Sequence, residues 1–256
     1  MTTTATIAAL YRWPVKGLSA VGLNEAAIEQ DRPLAHDRRW AIERAGPVFD
    51  AANPRHVPKG KFLQLVNTAQ LAALDIRHDA ATDTLTLLRG GKVVAEGRLT
   101  TPEGRAAIER FLADFLGDAA PARPRIVGAH RFHDVPKPFL SLINLATVRA
   151  IADLVGKEVN PLRFRANIYI DGLPAWAEFD WVGRKLAVDG EPLFMAEERI
   201  GRCIATGVDP DTGERDLHIP RTLLDAFGHK DCGLYLRPVA DGLLRPGMTI
   251  EAGQAP

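Results

Sequence analysis

The alternation of apolar and polar residues along the chain predicts many short β-strands and a few amphipathic helices. β-Forming residues at positions 4 to 11 predict a first strand, and the turn residues Pro14 and Gly17 predict where it ends. Apolar residues at helical spacing between Thr101 and Gly117 predict a helix, with Thr101 as its cap and Pro102 at its first position.

A second helical pattern follows Asn144, with Val148, Ile151 and Val155 on one face and Gly156 as the stop. A shorter helix is predicted over residues 222–227. Strands or hairpins are predicted at residues 26–30, 84–95, 185–194, 233–236 and 248–251. The second half is therefore strand-rich, which favours a β-barrel or sandwich over a doubly wound sheet.

The Ala- and Pro-rich segment 119–124 is the best boundary candidate, and it divides the chain into predicted domains at 1–118 and 123–254. The 256 residues include 32 basic and 32 acidic side chains, so no overall field favours nucleic acid or an anionic membrane. No apolar run is long enough for a membrane span, and no basic leader begins the chain. We therefore expect a cytoplasmic protein.

Few of the common signatures of catalysis or cofactor binding are present. The sequence has no dinucleotide-binding fingerprint, P-loop, nucleophile elbow or zinc-protease motif, and no cysteine spacing for an iron–sulfur cluster. Its two cysteines, Cys203 and Cys232, cannot form a disulfide framework, although one disulfide between them is possible. The histidines are scattered along the chain, which gives a histidine metal site little support.

The strongest candidate for chemistry is the segment 198–213. Cys203 follows Arg199 and Arg202, and a turn over residues 209–213 comes after it. Nearby guanidinium charge favours the thiolate, the form of cysteine that binds soft metals and acts as a nucleophile. A buried, unreactive thiol is an equally good interpretation of this segment taken alone.

Five motifs in order give the chain a wider resemblance. Residues 11–17 are similar to YPVKS, 37–40 to DRxW, 164–168 to FRPNI, 201–213 to SRC…VDPDTG and 233–235 to FGxY. This order resembles the MOSC family, which includes the C-terminal part of molybdenum cofactor sulfurases. It also resembles the amidoxime-reducing components, which join the same domain to an N-terminal β-barrel-like region.

The resemblance implies an α+β, β-rich fold: a β-barrel-like N-terminal region followed by a MOSC β-barrel with peripheral helices. It implies that Cys203 is the thiolate ligand of molybdenum in a pterin-dithiolene cofactor, the molybdenum cofactor. The residues expected to contact that cofactor are Lys16, Arg38, Ser141, Asn144, Thr147, Arg165, Asn167, Arg202 and Tyr235.

Four positions depart from the family pattern. Gly17, Ala166 and Gly201 stand where the family often has serine, proline and serine. Cys232 stands where phenylalanine is usual, so we interpret it as a small apolar filler rather than a second metal ligand. None of these changes removes the expected ligand Cys203.

The preferred function is an oxidoreductase that reduces N-hydroxylated small molecules, or related N–O or S–O groups. The chain has no motif for its own electron carrier, so a separate ferredoxin or reductase is expected as the donor. Asp209 and Glu178 could assist proton transfer, although structural roles are more usual for such residues.

The alternative is a carrier of the molybdenum cofactor, or of sulfur as a persulfide on Cys203. A pyridoxal phosphate-dependent desulfurase would then be a separate partner and would not be bound within this chain. A third hypothesis is that the protein is a scaffold, which has the fold but does not bind the cofactor.

Overall fold

The computed structural model describes residues 4–128 and 130–253. Its α-helices are α1 (Pro102–Leu116), α2 (Leu145–Val155) and α3 (Ile219–Phe227). Its strands are β1 (Thr4–Arg12), β2 (Val21–Leu23), β3 (Ala26–Ile28), β4 (Trp40–Glu43), β5 (Asp75–Asp79), β6 (Thr84–Arg89), β7 (Lys92–Arg98), β8 (Arg125–Gly128), β9 (Leu140–Asn144), β10 (Ile168–Asp171), β11 (Lys185–Val188), β12 (Glu191–Gly201), β13 (Asp231–Pro238), β14 (Gly242–Leu244) and β15 (Thr249–Ala252).

Seven strands form a closed barrel in the order β10, β9, β13, β12, β11, β15 and β1, and β1 pairs again with β10. The β9–β10 pairing is parallel, and the other pairings in the ring are antiparallel. Alternate side chains point inward, so Ile7, Leu142 and Phe194 are fully buried in one apolar core. The fold is α+β and β-rich, as the sequence predicts.

Strand β1 belongs to the first half of the sequence, yet it closes the barrel of the second half. It lies between β15 and β10, with Ala5 opposite Ile250 and Leu10 opposite Ile168. In the opposite direction, β8 follows the predicted boundary segment and pairs with β4 of the first half. With the β3–β14 pairing included, four strand pairings cross the predicted 118/123 division: β1–β10, β1–β15, β3–β14 and β4–β8.

The first half has an apolar core of its own. Strands β4 and β8 form one small sheet, and β5, β6 and β7 form another. Helix α1 packs Ile108 and Leu112 into this core against Leu85 and Leu87 of β6. A β-bridge between Val15 and Trp40 links the turn after β1 to this half.

The capping residues predicted for the first two helices are confirmed. The Thr101 hydroxyl accepts a hydrogen bond from the Gly104 amide at 3.1 Å, and the Asn144 side chain accepts one from Ala146 at 3.0 Å. Gly156 ends α2 in the left-handed conformation. Helix α3 begins at Ile219 rather than at residue 222, because Pro220 fits the first turn of a helix.

The hairpins predicted around residues 90 and 189 are confirmed as β6–β7 and β11–β12. Both cysteines are free: Cys203 is exposed and Cys232 is buried. Across residues 4–128 and 130–253, no helix combines the length and the apolar character needed to cross a membrane.

Candidate functional site

Both halves of the chain contribute to one pocket, which we call the cationic pocket. It brings together eight of the predicted site residues: Lys16, Arg38, Ser141, Arg165, Asn167, Arg202, Cys203 and Tyr235. Lys59, Arg163, His133 and Asp134 also line it. Within the described part of the chain, Asp134 is the one carboxylate in a lining that has six lysine and arginine side chains. Such a local excess of positive charge suits an anionic ligand.

Lys16 is held at the base of this pocket by both its backbone and its side chain. Its amide donates to the Trp40 carbonyl at 2.8 Å, which fixes the turn after β1. Its ammonium donates to the Phe132 carbonyl at 2.9 Å and forms an ion pair with Asp134. The residue is 6% exposed, and this burial lowers the pKa of the ammonium while Asp134 opposes the shift.

Arg38 is fixed by the carboxylate beside it and by a backbone carbonyl. Its Nη1 donates to Asp37 Oδ2 at 2.5 Å, and its Nη2 donates to the Arg165 carbonyl at 2.7 Å. Asp37 also accepts from the Trp13 amide at 2.8 Å and contacts His133 Nε2 at 3.1 Å. Burial alone would raise the pKa of Asp37, but Arg38 and His133 hold it well below its usual range.

The indole of Trp13 supports a second guanidinium at the pocket. The Arg165 guanidinium lies 4.1 Å from the centroid of this ring, and Arg38 lies 5.7 Å from it. Burial and the neighbouring Arg38 lower the pKa of Arg165, although arginine remains cationic in proteins. Both cations thus lie against one aromatic ring; Arg38 also has Asp37 as its partner, whereas Arg165 has no ion-pair partner among the described residues.

Two backbone carbonyls hold the Arg202 guanidinium, and one of its N–H donors has no partner among the described residues. Its Nε donates to the Cys232 carbonyl at 2.7 Å, and its Nη1 donates to the Phe164 carbonyl at 2.9 Å. Its Nη2 is buried and has no partner among the described residues. An unpaired buried donor of this kind is costly unless a bound group accepts from it.

The two cysteines have opposite environments. Cys203 is exposed at the pocket, where its carbonyl accepts from the Thr206 hydroxyl at 3.0 Å and so fixes the short turn after it. Cys232 is completely buried in the core of α2 and α3, and burial raises the pKa of its thiol to about 12. Its position in that core agrees with the apolar filler that we expected.

Ser141 and Asn167 form one wall of the pocket. Asn167 Oδ1 accepts from the amide and the hydroxyl of Ser141, at 3.1 and 3.0 Å, and its Nδ2 donates to the Tyr11 carbonyl at 3.2 Å. These bonds join β9, the residue before β10 and the end of β1. Tyr235 packs against Phe139 with ring centroids 5.5 Å apart, and burial raises the pKa of its hydroxyl.

Asn144 and Thr147 do not line this pocket, contrary to the expectation. Both are fully buried at the start of α2, where they bind the carboxylate of Glu178. Asn144 Nδ2 donates to it at 2.9 Å, and Thr147 Oγ1 contacts both of its oxygens, at 2.8 and 3.0 Å. The chain therefore supplies its own anion at this helix start, and burial raises the pKa of Glu178.

The carboxylate of Asp209, like that of Glu178, is bound by other residues of the chain. Its Oδ2 accepts from Arg163 Nη2 at 2.6 Å, and its Oδ1 accepts from the amides of Asp211 and Thr212 in the following turn. Arg163 is 2% exposed and also binds Asp216, so this cation of the lining is neutralised internally.

Sequence reasoning missed Lys59, His133 and Asp134. His133 and Asp134 lie in a loop and Lys59 begins a single turn of 3-10 helix, Lys59–Lys61. The contact between Lys16 and Asp134 spans 118 positions, so no local pattern marks it. Among residues 4–128 and 130–253, no group of three or more histidine, cysteine, aspartate or glutamate side chains is arranged to hold a metal ion.

Two family models cover most of the chain. The MOSC N-terminal beta barrel domain matches residues 4–119, and the MOSC domain matches residues 129–251. The chain belongs to the MOSC family, with both domains in that order.

Curated relatives fall into two kinds. Molybdenum cofactor sulfurase of Caenorhabditis briggsae is 24% identical over 98% of this chain and 35% of its own length. Mitochondrial amidoxime-reducing component 1 of Homo sapiens is 27% identical over 88% of this chain and 73% of its own length. The chain thus spans about a third of the sulfurases that it matches. Among solved structures, the YUAD protein from Bacillus subtilis aligns with 99% of this chain and 97% of its own, at a TM-score of 0.47 and 12% identity.

Proposed function

We propose that the cationic pocket binds a phosphate-bearing pterin cofactor of molybdenum, with Cys203 as the thiolate ligand of the metal. The observation that carries the proposal is an exposed thiol in a pocket lined by Asp134 as its one carboxylate among the described residues and by five cations besides the internally paired Arg163. The names of two relatives, molybdenum cofactor sulfurase and mitochondrial amidoxime-reducing component 1, support the choice of cofactor.

The residues present fit such a group. Lys16, Arg38 and Arg165 offer the cations and N–H donors that a phosphate requires. The buried Arg202 Nη2 offers a donor that the rest of the described chain leaves unused. A thiolate is a ligand type that suits a soft metal centre.

We further propose that the protein reduces N-hydroxylated small molecules. When bound, the cofactor supplies a two-electron redox centre. Reduction of a hydroxylamine-type N–O bond consumes two electrons and two protons and yields the amine and water. The electrons come from a separate ferredoxin or reductase. The chain's own contribution is to hold the cofactor by its charged side chains and to present Cys203 at an open pocket.

The first test is the metal and pterin content of protein purified anaerobically from a cofactor-replete host. The parent is expected to hold molybdenum near one per chain, Cys203→Ala to lose it or bind it exchangeably, and Cys232→Ala to retain it. If the parent lacks molybdenum and pterin under these conditions, the cofactor proposal fails. Turnover of an amidoxime with an artificial electron donor then tests the reductase proposal by itself.

The exposed position of Cys203 also favours a second candidate function, a carrier of cofactor or sulfur. A thiol at the surface can be reached by a separate pyridoxal phosphate-dependent cysteine desulfurase. Incubation with such an enzyme and free cysteine, which the enzyme converts to alanine while taking up the sulfur as its own persulfide, would then transfer that sulfur to the Cys203 thiolate. The product is seen as one added sulfur in the intact mass. Metal-loaded protein that has no reductase activity but accepts sulfur would favour the carrier over the reductase.

A further inference from the structure

A second cleft lies beside the cationic pocket, and the two share His133 and Val135 in their walls. We call it the histidine cleft, because four of the seven histidines in the chain line it: His36, His56, His130 and His133. These residues are far apart in sequence, and only the fold brings them together. None of the motifs that define the family resemblance requires such a cluster.

The histidine cleft also has an excess of positive charge. Arg32, Arg39, Arg131 and Lys137 line it, against the carboxylates of Glu29 and Asp37. The chain as a whole has no net charge, so this excess is a local feature. A concave surface lined by one sign of charge concentrates ligands of the opposite sign.

Internal ion pairs neutralise only part of this excess: Arg39 pairs with Asp83 at 3.3 Å and Lys137 with Glu198 at 3.6 Å. Asp37 is already bound by Arg38 and His133. Neither Arg32 nor Arg131 has an ion-pair partner in the described part of the chain. Burial lowers the pKa of His130, and the nearby Arg131 and His56 lower it further, as expected where cations are crowded together.

One polar atom in the shared wall lacks a partner. His133 Nε2 contacts Asp37 Oδ2 at 3.1 Å, which orients the ring. His133 Nδ1 is buried and forms no hydrogen bond within residues 4–128 and 130–253. An Nδ1–H group at this position lacks an acceptor, which an oxyanion bound in the histidine cleft would supply.

We propose that the histidine cleft is a binding site for a small, multiply charged oxyanion, such as a phosphate ester, a pyrophosphate or a polycarboxylate. Arg32 and Arg131 supply charges that form no ion pair within the described part of the chain, and Glu29 is the one lining carboxylate left to oppose them. His133 lies in both walls and places this ligand next to the cationic pocket. The proposal does not depend on what the cationic pocket binds.

Titration calorimetry of the full chain with inorganic pyrophosphate, and separately with citrate, tests the proposal. The test variant is Arg32→Gln/Arg131→Gln. The matched control is Arg77→Gln/Arg110→Gln, which removes the same charge from exposed positions outside both pockets. We expect the test variant to bind at least one of the two probes about tenfold more weakly than the parent, and the control to stay within about twofold.

Each outcome is decisive. If the test variant binds both probes as tightly as the parent, or if the control loses as much affinity, the histidine cleft is not the site. Weakening with pyrophosphate alone would favour a phosphate ligand, and weakening with citrate alone would favour a carboxylate. Molybdenum content measured on the same samples separates this result from the cofactor proposal, because Arg32 and Arg131 lie outside the cationic pocket.

Discussion

Lys16 and Asp134 are 118 positions apart in sequence, and their side chains form an ion pair at the wall of the cationic pocket. The lysine side chain is 8% exposed and the aspartate side chain is 44% exposed. The pair therefore fixes a cation from the turn after β1 to a loop that precedes β9. This ion pair therefore joins the first half of the chain to the second half at the pocket.

Removing that carboxylate should destabilise the protein. Asp134→Asn leaves a buried ammonium without its counter-charge, and we expect a loss of about 1–2 kcal/mol, less than for a fully buried pair because water screens Asp134. Urea unfolding measures this loss. Asp118→Asn, at an exposed position, is the control and should change stability by less than about 0.5 kcal/mol. Equal stability of Asp134→Asn and the parent would show that the pair contributes nothing.

Asp37 should contribute stability that depends on pH. Its pKa is lowered in the folded state, so the contribution is complete above the unfolded value near ~3.9 and is lost as the pH falls toward the folded value. At pH 7 we expect Asp37→Asn to cost about 2–4 kcal/mol, because Arg38 loses its buried partner.

Urea unfolding at several pH values between 7 and 3 checks this prediction. The difference in unfolding free energy between the parent and Asp37→Asn should stay constant down to about pH 5 and shrink below it. Asp153→Asn, on the exposed face of α2, should show no such convergence. A constant difference at every pH would mean that Asp37 has no shifted pKa.

The two cysteines should react at very different rates with a thiol reagent. Exposed Cys203 should be alkylated in the native protein, whereas Cys232 is buried, with its thiol pKa raised to about 12, and should react only after unfolding. Intact-mass measurement should show one adduct on the native cofactor-free chain and two in denaturant. Native Cys203→Ser should show none. Two adducts on the native parent would contradict the buried position of Cys232.

Gly17 stands where the family motif usually has serine, and this structure requires glycine there. Its φ is +92°, and a Cβ atom would lie 2.6 Å from the Leu63 carbonyl oxygen. We expect Gly17→Ser to lower the free energy of unfolding by about 1–3 kcal/mol. Gly60→Ser is the control, because nothing lies within 4 Å of a Cβ there. Unchanged stability of Gly17→Ser would show that the turn adapts.

Local patterns were sufficient to predict the helices, the hairpins and the barrel character of the second half. The caps at Thr101 and Asn144 are examples, because a cap is a contact between near neighbours. The resemblance to a known family placed Lys16, Arg38, Arg165 and Cys203, which the structure brings to one pocket.

Long-range pairings escaped prediction for a physical reason. The Thr147 hydroxyl and the Asn144 amide can serve a bound anion or an internal one, and only the fold reveals that Glu178 takes them. Asp134 and the histidine cleft depend on contacts between distant loops, which leave no periodic signal in sequence. The sequence therefore predicts only some of the residues that form the site.

The position of β1 has a consequence for biosynthesis. Its neighbours in the barrel are β10 and β15, so Thr4 can meet Glu251 only after the 247 positions that separate them have been made. At a synthesis rate of roughly 5–20 residues per second, β1 waits on the order of 10–50 s for that partner. During this interval the edge of β1 that pairs with β15 is open to other strands, which is a common route to misfolding. Barrel closure is consequently a late event and a natural point for assistance by a chaperone.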